Sequence, residues 1–171
     1  MAYLPSAFYS RLLGAVKQLP WHKLAHAEKA KLADFQSRYA LAFSLHLHKD
    51  DQRFVELFQL VSRVLGKLVP EFTWKHAIVS LINDPSNHME VDVNGNRGPF
   101  ITFAVGNYEG GKLSFLHADG TRTFDSDGTL IQYDGVTQRR VEPLLYNQGY
   151  RPIRYAFVVY DVDEPKRQRV H

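Results

Sequence analysis

Two adjacent glycines, Gly110 and Gly111, lie between two short runs rich in apolar and β-branched residues. Residues 101–105 read Ile-Thr-Phe-Ala-Val, and residues 113–116 read Leu-Ser-Phe-Leu. Glycine adopts positive φ at little steric cost, so this pair predicts a tight turn between two strands. Further along the chain, three Asp-Gly pairs predict additional hairpin or bulge turns, at 119–120, 127–128 and 134–135.

The part of the chain after Phe72 has the pattern of an antiparallel β structure. Short β-type segments alternate with turn signals, and they predict strands at 77–82, 88–93, 100–105, 112–117, 129–133, 139–145 and 154–162. Short strands at such regular spacing favour a sandwich or barrel over a parallel α/β sheet. We interpret the pattern as a small jelly roll with a polar pocket at one end.

The first 70 residues have a helical period instead. Apolar residues recur at spacings of three and four, and they predict helices over 5–18, 22–47 and 50–68, with no strand signal. We therefore predict an α+β fold in which a double-stranded β-helix packs against an N-terminal helical layer. The expected boundaries, within one compact domain, are 1–70 for the layer, 71–162 for the β-helix and 163–171 for a basic tail.

Composition excludes several classes of protein. The 171 residues include no cysteine, which excludes disulfides, thiolate zinc sites and a cysteine nucleophile. No apolar run approaches the ~20 residues of a membrane helix. The net charge of +3 is mild, and the basic tail is interpreted as solvated, so nucleic acid binding has no specific support. We expect an intracellular, cytoplasmic protein. The acid-poor start before Glu28 leaves an organelle transit peptide as the alternative to an amphipathic first helix.

The segment 88–92 carries side chains that could bind a metal. On a strand, His88, Glu90 and Asp92 share one face, and they are ligand types of a facial metal triad. Residues four apart on a strand are separated by ~13 Å, so at most one neighbouring pair can bind a single ion. A further ligand must then come from another strand. The alternative is a polar strand edge without a metal.

Residues 72–160 resemble the small iron- and 2-oxoglutarate-dependent dioxygenases with a double-stranded β-helix core. The likeness is greatest to the compact branch related to base-oxidising and prolyl-hydroxylating members. It rests on an ordered set of motifs that covers about half of the chain: the 94–99 loop, Gly106, Glu109-Gly-Gly-Lys-Leu113, Tyr133-Asp-Gly135, Val141-Glu-Pro143 and Arg154-Tyr155.

The resemblance implies Fe(II) and 2-oxoglutarate as cofactors, with Arg154 binding the 2-oxoglutarate carboxylate and Arg151 competing for that role. It also places Arg139 where the family has its distal histidine ligand. Arginine is cationic and has no lone pair to offer a metal. The guanidinium is expected to pair instead with Glu90 or Asp92. His117 is the candidate replacement ligand.

These departures favour a non-catalytic, dioxygenase-like structural or binding module without a cofactor, acting through a protein partner or self-assembly. The alternative is an active Fe(II)/2-oxoglutarate-dependent oxygenase that uses His88 and Glu90 together with His117 or water. A third interpretation keeps the jelly roll without that ancestry, as a ligand-binding or assembly β-sandwich whose helical layer provides the partner surface.

Overall fold

The computed structural model describes residues 2–21, 40–82, 98–135, 138–145 and 149–161. In these ranges the chain forms two α-helices, α1 (Ser6–Lys17) and α2 (Gln52–Leu68), and a 3-10 helix at Leu45–Leu47. The strands of the described chain are β1 (Ala2–Tyr3), β2 (Ala40–Ser44), β3 (His76–Ile82), β4 (Phe100–Asn107), β5 (Leu113–His117), β6 (Gly120–Phe124), β7 (Thr129–Tyr133), β8 (Gln138–Val141) and β9 (Ile153–Tyr160).

These strands form two antiparallel sheets. The larger sheet has the order β1-β7-β4-β9-β3-β2, and the smaller has the order β6-β5-β8. Within the larger sheet β9 is central, pairing with β4 from Phe100↔Tyr160 to Asn107↔Ile153 and with β3 on its other side. This confirms the predicted α+β jelly roll. Neither helix of the described chain is long and apolar enough to cross a membrane.

Both faces of β9 are buried, and alternate side chains enter two different apolar cores. Tyr155, Phe157 and Val159 pack in the core that includes the helices. Val158 and Tyr160 pack in a second core with residues of the smaller sheet. This division follows from the two-residue period of a strand. Because both faces are buried, the sequence of β9 is an almost continuous apolar run. Residue 154 is on the same face of the strand as residues 158 and 160, and therefore faces the smaller sheet.

The helix predicted over 22–47 is wrong in its last third. Residues 40–44 form β2, which pairs with β3 along its whole length, and the 3-10 helix follows. Residues 22–39 lie outside the described residues. A short apolar run such as residues 40–44 is compatible with the period of a helix and with that of a strand. Here it forms a strand because the edge of β3 provides partners for its backbone hydrogen bonds. The first 70 residues are therefore not purely helical, because β1 and β2 belong to the larger sheet.

Two smaller differences have simple causes. The strand predicted over 139–145 ends at Val141, two residues before Pro143, since proline cannot donate a ladder hydrogen bond. Strand β6 was not predicted because it is polar and mostly exposed, with no buried face to produce an alternating pattern. The strand predicted over 88–93 lies outside the described residues.

Helix α2 begins at a side-chain cap that can be tested directly. The carboxylate of Asp51 accepts a hydrogen bond from the Arg53 backbone N–H at 3.0 Å. We expect Asp51→Ala to lower the free energy of unfolding by about 1 kcal/mol, because a helix N–H loses its acceptor. Urea denaturation measures the change. The matched control is Asp50→Ala, which removes a neighbouring carboxylate without removing the cap, and an equal loss in that variant would contradict the assignment.

Candidate functional site

A fully buried arginine lies at the start of β9. Arg154 is 0% exposed, and its Nη2 donates a hydrogen bond to Ser126 Oγ at 3.1 Å. A buried guanidinium stays charged and requires acceptors, so its place in the interior is tightly constrained. Arg154 faces the space between the two sheets; its role in binding a carboxylate stays what the resemblance implies.

Tyr108 and the Gly110-Gly111 turn form one wall around Arg154. Both glycines have positive φ, at 76° and 63°. A Cβ at Gly111 would lie 3.2 Å from Arg154 Cδ and 2.7 Å from Leu144 Cδ2, so only glycine leaves room for the arginine stem there. The Tyr108 hydroxyl is buried and has no hydrogen-bond partner among the described residues. Burial raises the pKa of Tyr108 well above its usual value, and the positive charge of Arg154 acts in the opposite direction.

Helix α1 is tied to the same end of the sandwich through Tyr9. Its hydroxyl donates to Asp127 Oδ1 at 2.6 Å and accepts from the Gly106 backbone N–H at 3.0 Å. Asp127 directly follows Ser126, the partner of Arg154. Burial raises the pKa of Asp127, while the hydrogen bond from Tyr9 opposes that rise. Tyr9 thus joins three elements next to the buried arginine: helix α1, strand β4, and the turn that precedes β7.

The Tyr9 contact predicts a dependence of stability on alkaline pH. Burial and the hydrogen bond to Asp127 raise the pKa of Tyr9 from 10.0 to about 12. In the unfolded chain the phenol ionises first, so the free energy of unfolding should fall as pH rises from about 10 to 12. We expect Tyr9→Phe to be less stable at pH 7 by about 1 kcal/mol and to show a smaller decline over that window. Urea denaturation at a series of pH values measures both effects, and Tyr3→Phe, at an exposed tyrosine, is the control.

A second buried arginine lies on the smaller sheet. Arg139 is 3% exposed and pairs with Phe115 across the β8–β5 ladder. Its guanidinium carbon lies 4.5 Å from the centre of the Tyr133 ring, a cation–π contact across to the larger sheet. The side chain at position 139 therefore points into the interior. Arg140, the next residue, is exposed.

The two arginines occupy different levels of the interior. Tyr133, which contacts Arg139, pairs with Phe100, and Phe100 pairs with Tyr160. Positions 154 and 160 of β9 are separated by about 20 Å of extended chain. Apolar side chains of both sheets lie along this stretch, among them Val158, Ile131 and Leu113. The separation keeps the two positive charges apart.

The other predicted site residues are distributed as follows. His88, Glu90 and Asp92 lie outside the described residues, so their pairing with Arg139 stays a prediction. His117 is exposed at the β5–β6 hairpin, opposite Gly120. Arg151 is exposed ahead of β9. Of the two arginines proposed for a carboxylate, Arg154 is the one inside the sandwich.

Arg154 and Arg139 differ in whether they could bind the cofactors that the resemblance implies, 2-oxoglutarate and Fe(II). Arg154, with Ser126 and the Tyr108 hydroxyl nearby, is suited to a carboxylate such as that of 2-oxoglutarate. Arg139 is not suited to a metal, because a guanidinium has no lone pair and repels a cation. In the ranges that the structure describes, no three His, Cys, Asp or Glu side chains are grouped so that they could hold a metal ion.

Comparison with known proteins agrees with this architecture. No protein-family model and no curated protein sequence matches the chain. Among solved structures, it is similar to an oxidoreductase of the 2OG-Fe(II) oxygenase family from Burkholderia pseudomallei, with a TM-score of 0.60 and 10% identity over 91% of this chain and 78% of that one. It is also similar to a Pseudomonas putida prolyl-4-hydroxylase, with a TM-score of 0.55 and 13% identity over 95% and 91% of the two chains. The chain therefore has the jelly-roll fold of the 2OG-Fe(II) oxygenases.

Sequence reasoning missed several residues of this region. Tyr108 directly precedes the Glu109-Gly-Gly111 turn. Glycines in a turn allow other side chains to approach closely, so the position of Tyr108 beside this turn could have indicated that it lies near the site. The Asp127-Gly128 pair predicted only a turn, and neither Ser126 nor Tyr9 carried a signal of a role in the site. Tyr9 meets Asp127 across 118 positions of sequence, a contact that only the folded topology creates.

Proposed function

We propose that this protein is a non-catalytic binding or structural module built on the 2-oxoglutarate oxygenase fold. The observation that carries the proposal is the buried guanidinium of Arg139, held against Tyr133 in the interior. The resemblance assigns this position to a histidine that binds iron. A fixed positive charge there disfavours a divalent cation and favours a carboxylate partner. We assign Glu90 or Asp92 that role, which replaces a metal bridge by an ion pair.

The proposal is tested on the purified full chain. Fe(II), 2-oxoglutarate, ascorbate and oxygen are supplied, and bound iron and released succinate are measured. We expect iron well below one equivalent and succinate at the level of a protein-free control. Stoichiometric iron accompanied by succinate would reject the proposal. Light scattering then tests the structural role, for which we expect a defined oligomer or a stable complex with a protein partner.

A second candidate function, an active oxygenase with a non-standard triad, is favoured by Arg154. Its complete burial beside Ser126 and Tyr108 is an arrangement suited to a carboxylate cosubstrate. In this case His88 and Glu90, with His117 or water, would hold Fe(II). The function requires that 2-oxoglutarate stabilise the protein against heat and that Fe(II) strengthen the effect without oxygen.

Arg154 and Arg151 provide a matched pair of variants for this question. Arg154→Met should remove any stabilisation by 2-oxoglutarate, whereas Arg151→Met, at an exposed position, should preserve it. Differential scanning fluorimetry compares each variant with and without ligand, so a change in basal stability does not affect the result. Stabilisation that needs no metal would indicate a binding module, and stabilisation that appears only with Fe(II) would support the oxygenase.

A further inference from the structure

A groove on the helical side of the protein is separate from the interior described above. It lies between the 3-10 helix and α2 and has a volume of about 570 Å³. Small-molecule pockets typically have volumes of roughly 300–1,000 Å³. Its apolar lining comes from Leu45, Val55 and Phe58. Val55 and Phe58 are half-buried, so apolar surface of α2 remains accessible beside the face that packs on the sheet.

The charged side chains that line the groove all have one sign. They are Lys49 and Arg63, with His46 beside them, and the described lining includes no acidic side chain. Three acidic residues are close in sequence, Asp50, Asp51 and Glu56, and none of them is among the lining residues. Asp51 forms an ion pair with Arg53 at 2.8 Å, and Glu56 accepts a hydrogen bond from Gln52 at 3.4 Å. None of these carboxylates lines the groove, so Lys49 and Arg63 are the charged groups that a ligand in the groove meets directly.

Two contacts hold the walls of the groove in place. His46 Nε2 lies 3.1 Å from His76 Nδ1, and the two rings are 4.5 Å apart. Phe58 packs on Trp74, with 5.0 Å between ring centres. A ligand that meets such walls does not need to order them, which reduces the entropic cost of binding.

We propose that this groove binds a small amphipathic carboxylate. The apolar body of the ligand lies against Leu45, Val55 and Phe58, and its carboxylate lies between Lys49 and Arg63. Arginine binds a carboxylate through two parallel hydrogen bonds, and lysine adds a mobile positive charge. A neutral ligand of the same length would bury the same apolar area without either interaction, so the groove selects for negative charge.

Decanoate and 1-decanol, which have the same chain length and different head groups, test this selection on the full chain. Trp74 contacts a wall of the groove, so tryptophan fluorescence reports binding, and calorimetry provides an independent affinity. We expect saturable binding of decanoate with a Kd roughly tenfold or more below that of decanol. Equal affinities for the two, or no saturation by decanoate below 1 mM, would overturn the proposal.

Charge variants locate the site. Lys49→Gln with Arg63→Gln should weaken decanoate binding roughly tenfold or more and leave decanol unchanged. Lys112→Gln with Arg140→Gln removes the same charge from exposed positions of the smaller sheet and its adjoining turn. An equal loss in that control would show a non-specific charge effect and reject the site. All four side chains are exposed, and matching thermal midpoints check that each variant is folded. Because neither ligand contacts Arg139 or Arg154, the outcome is independent of the proposed function.

Discussion

Replacing Gly106 with alanine is expected to lower the free energy of unfolding by about 3–5 kcal/mol. Gly106 pairs with Arg154 across the β4–β9 ladder and has a φ of 154°. A Cβ there would overlap the carbonyl oxygen of Ile153, a backbone atom that moves only if β9 moves. The Gly106 N–H also donates a hydrogen bond to the Tyr9 hydroxyl, so a shift of β4 would break the contact that ties α1 to the sheet. Urea denaturation measures the loss.

The matched control is Gly120→Ala. Gly120 has a similar φ of 137°, but nothing lies within 4 Å of the position that its Cβ would take. The control therefore measures the cost of the backbone conformation alone, which we expect to be about 1–2 kcal/mol. The difference between the two variants isolates the steric overlap. If Gly120→Ala were as damaging as Gly106→Ala, the close approach of β9 would not be the reason for glycine at 106.

Most strands after Phe72 were predictable because each has a local cause. Residues 100–105 and 129–133 are rich in β-branched and aromatic residues, and glycines at positive φ mark the turns between strands. The segment 40–44 was not predictable in the same way. Its residues suit a helix or a strand, and its state is decided by the exposed ladder of β3, which is distant in sequence.

In the candidate site, too, features that depend on nearby residues could be predicted from the sequence, and contacts between residues distant in sequence could not. The place of Arg154 follows from a strand whose phase the sequence displays, so its interior position could be predicted by counting from Tyr160. The residues that surround Arg154 could not be predicted in this way. Ser126 lies in an irregular segment before β7, and Tyr9 reaches Asp127 from another layer of the fold. No periodicity connects those segments, because the contacts arise only when helix and sheet pack.

Replacing Arg139 with histidine is expected to raise the affinity of the protein for Fe(II), or for Co(II) as its spectroscopic substitute, by roughly 100-fold or more. The substitution removes a buried positive charge from the interior and provides an imidazole nitrogen at the position where the resemblance places the distal ligand. The remaining ligands would be drawn from His88, Glu90 and Asp92. Calorimetry and the visible absorption of Co(II) under anaerobic conditions measure the gain.

Two controls separate the causes of such a gain. Arg139→Gln removes the same charge without adding an imidazole, so it should give only a small part of the effect. Arg140→His adds the same imidazole one residue away, on the exposed face of β8, and should give none. If Arg139→His bound no more tightly than either control, position 139 would not be the ligand position, and the proposal that the buried arginine takes the place of a metal would be wrong. If it alone gained affinity, the guanidinium at position 139 would be identified as the group that lowers the affinity of this chain for Fe(II).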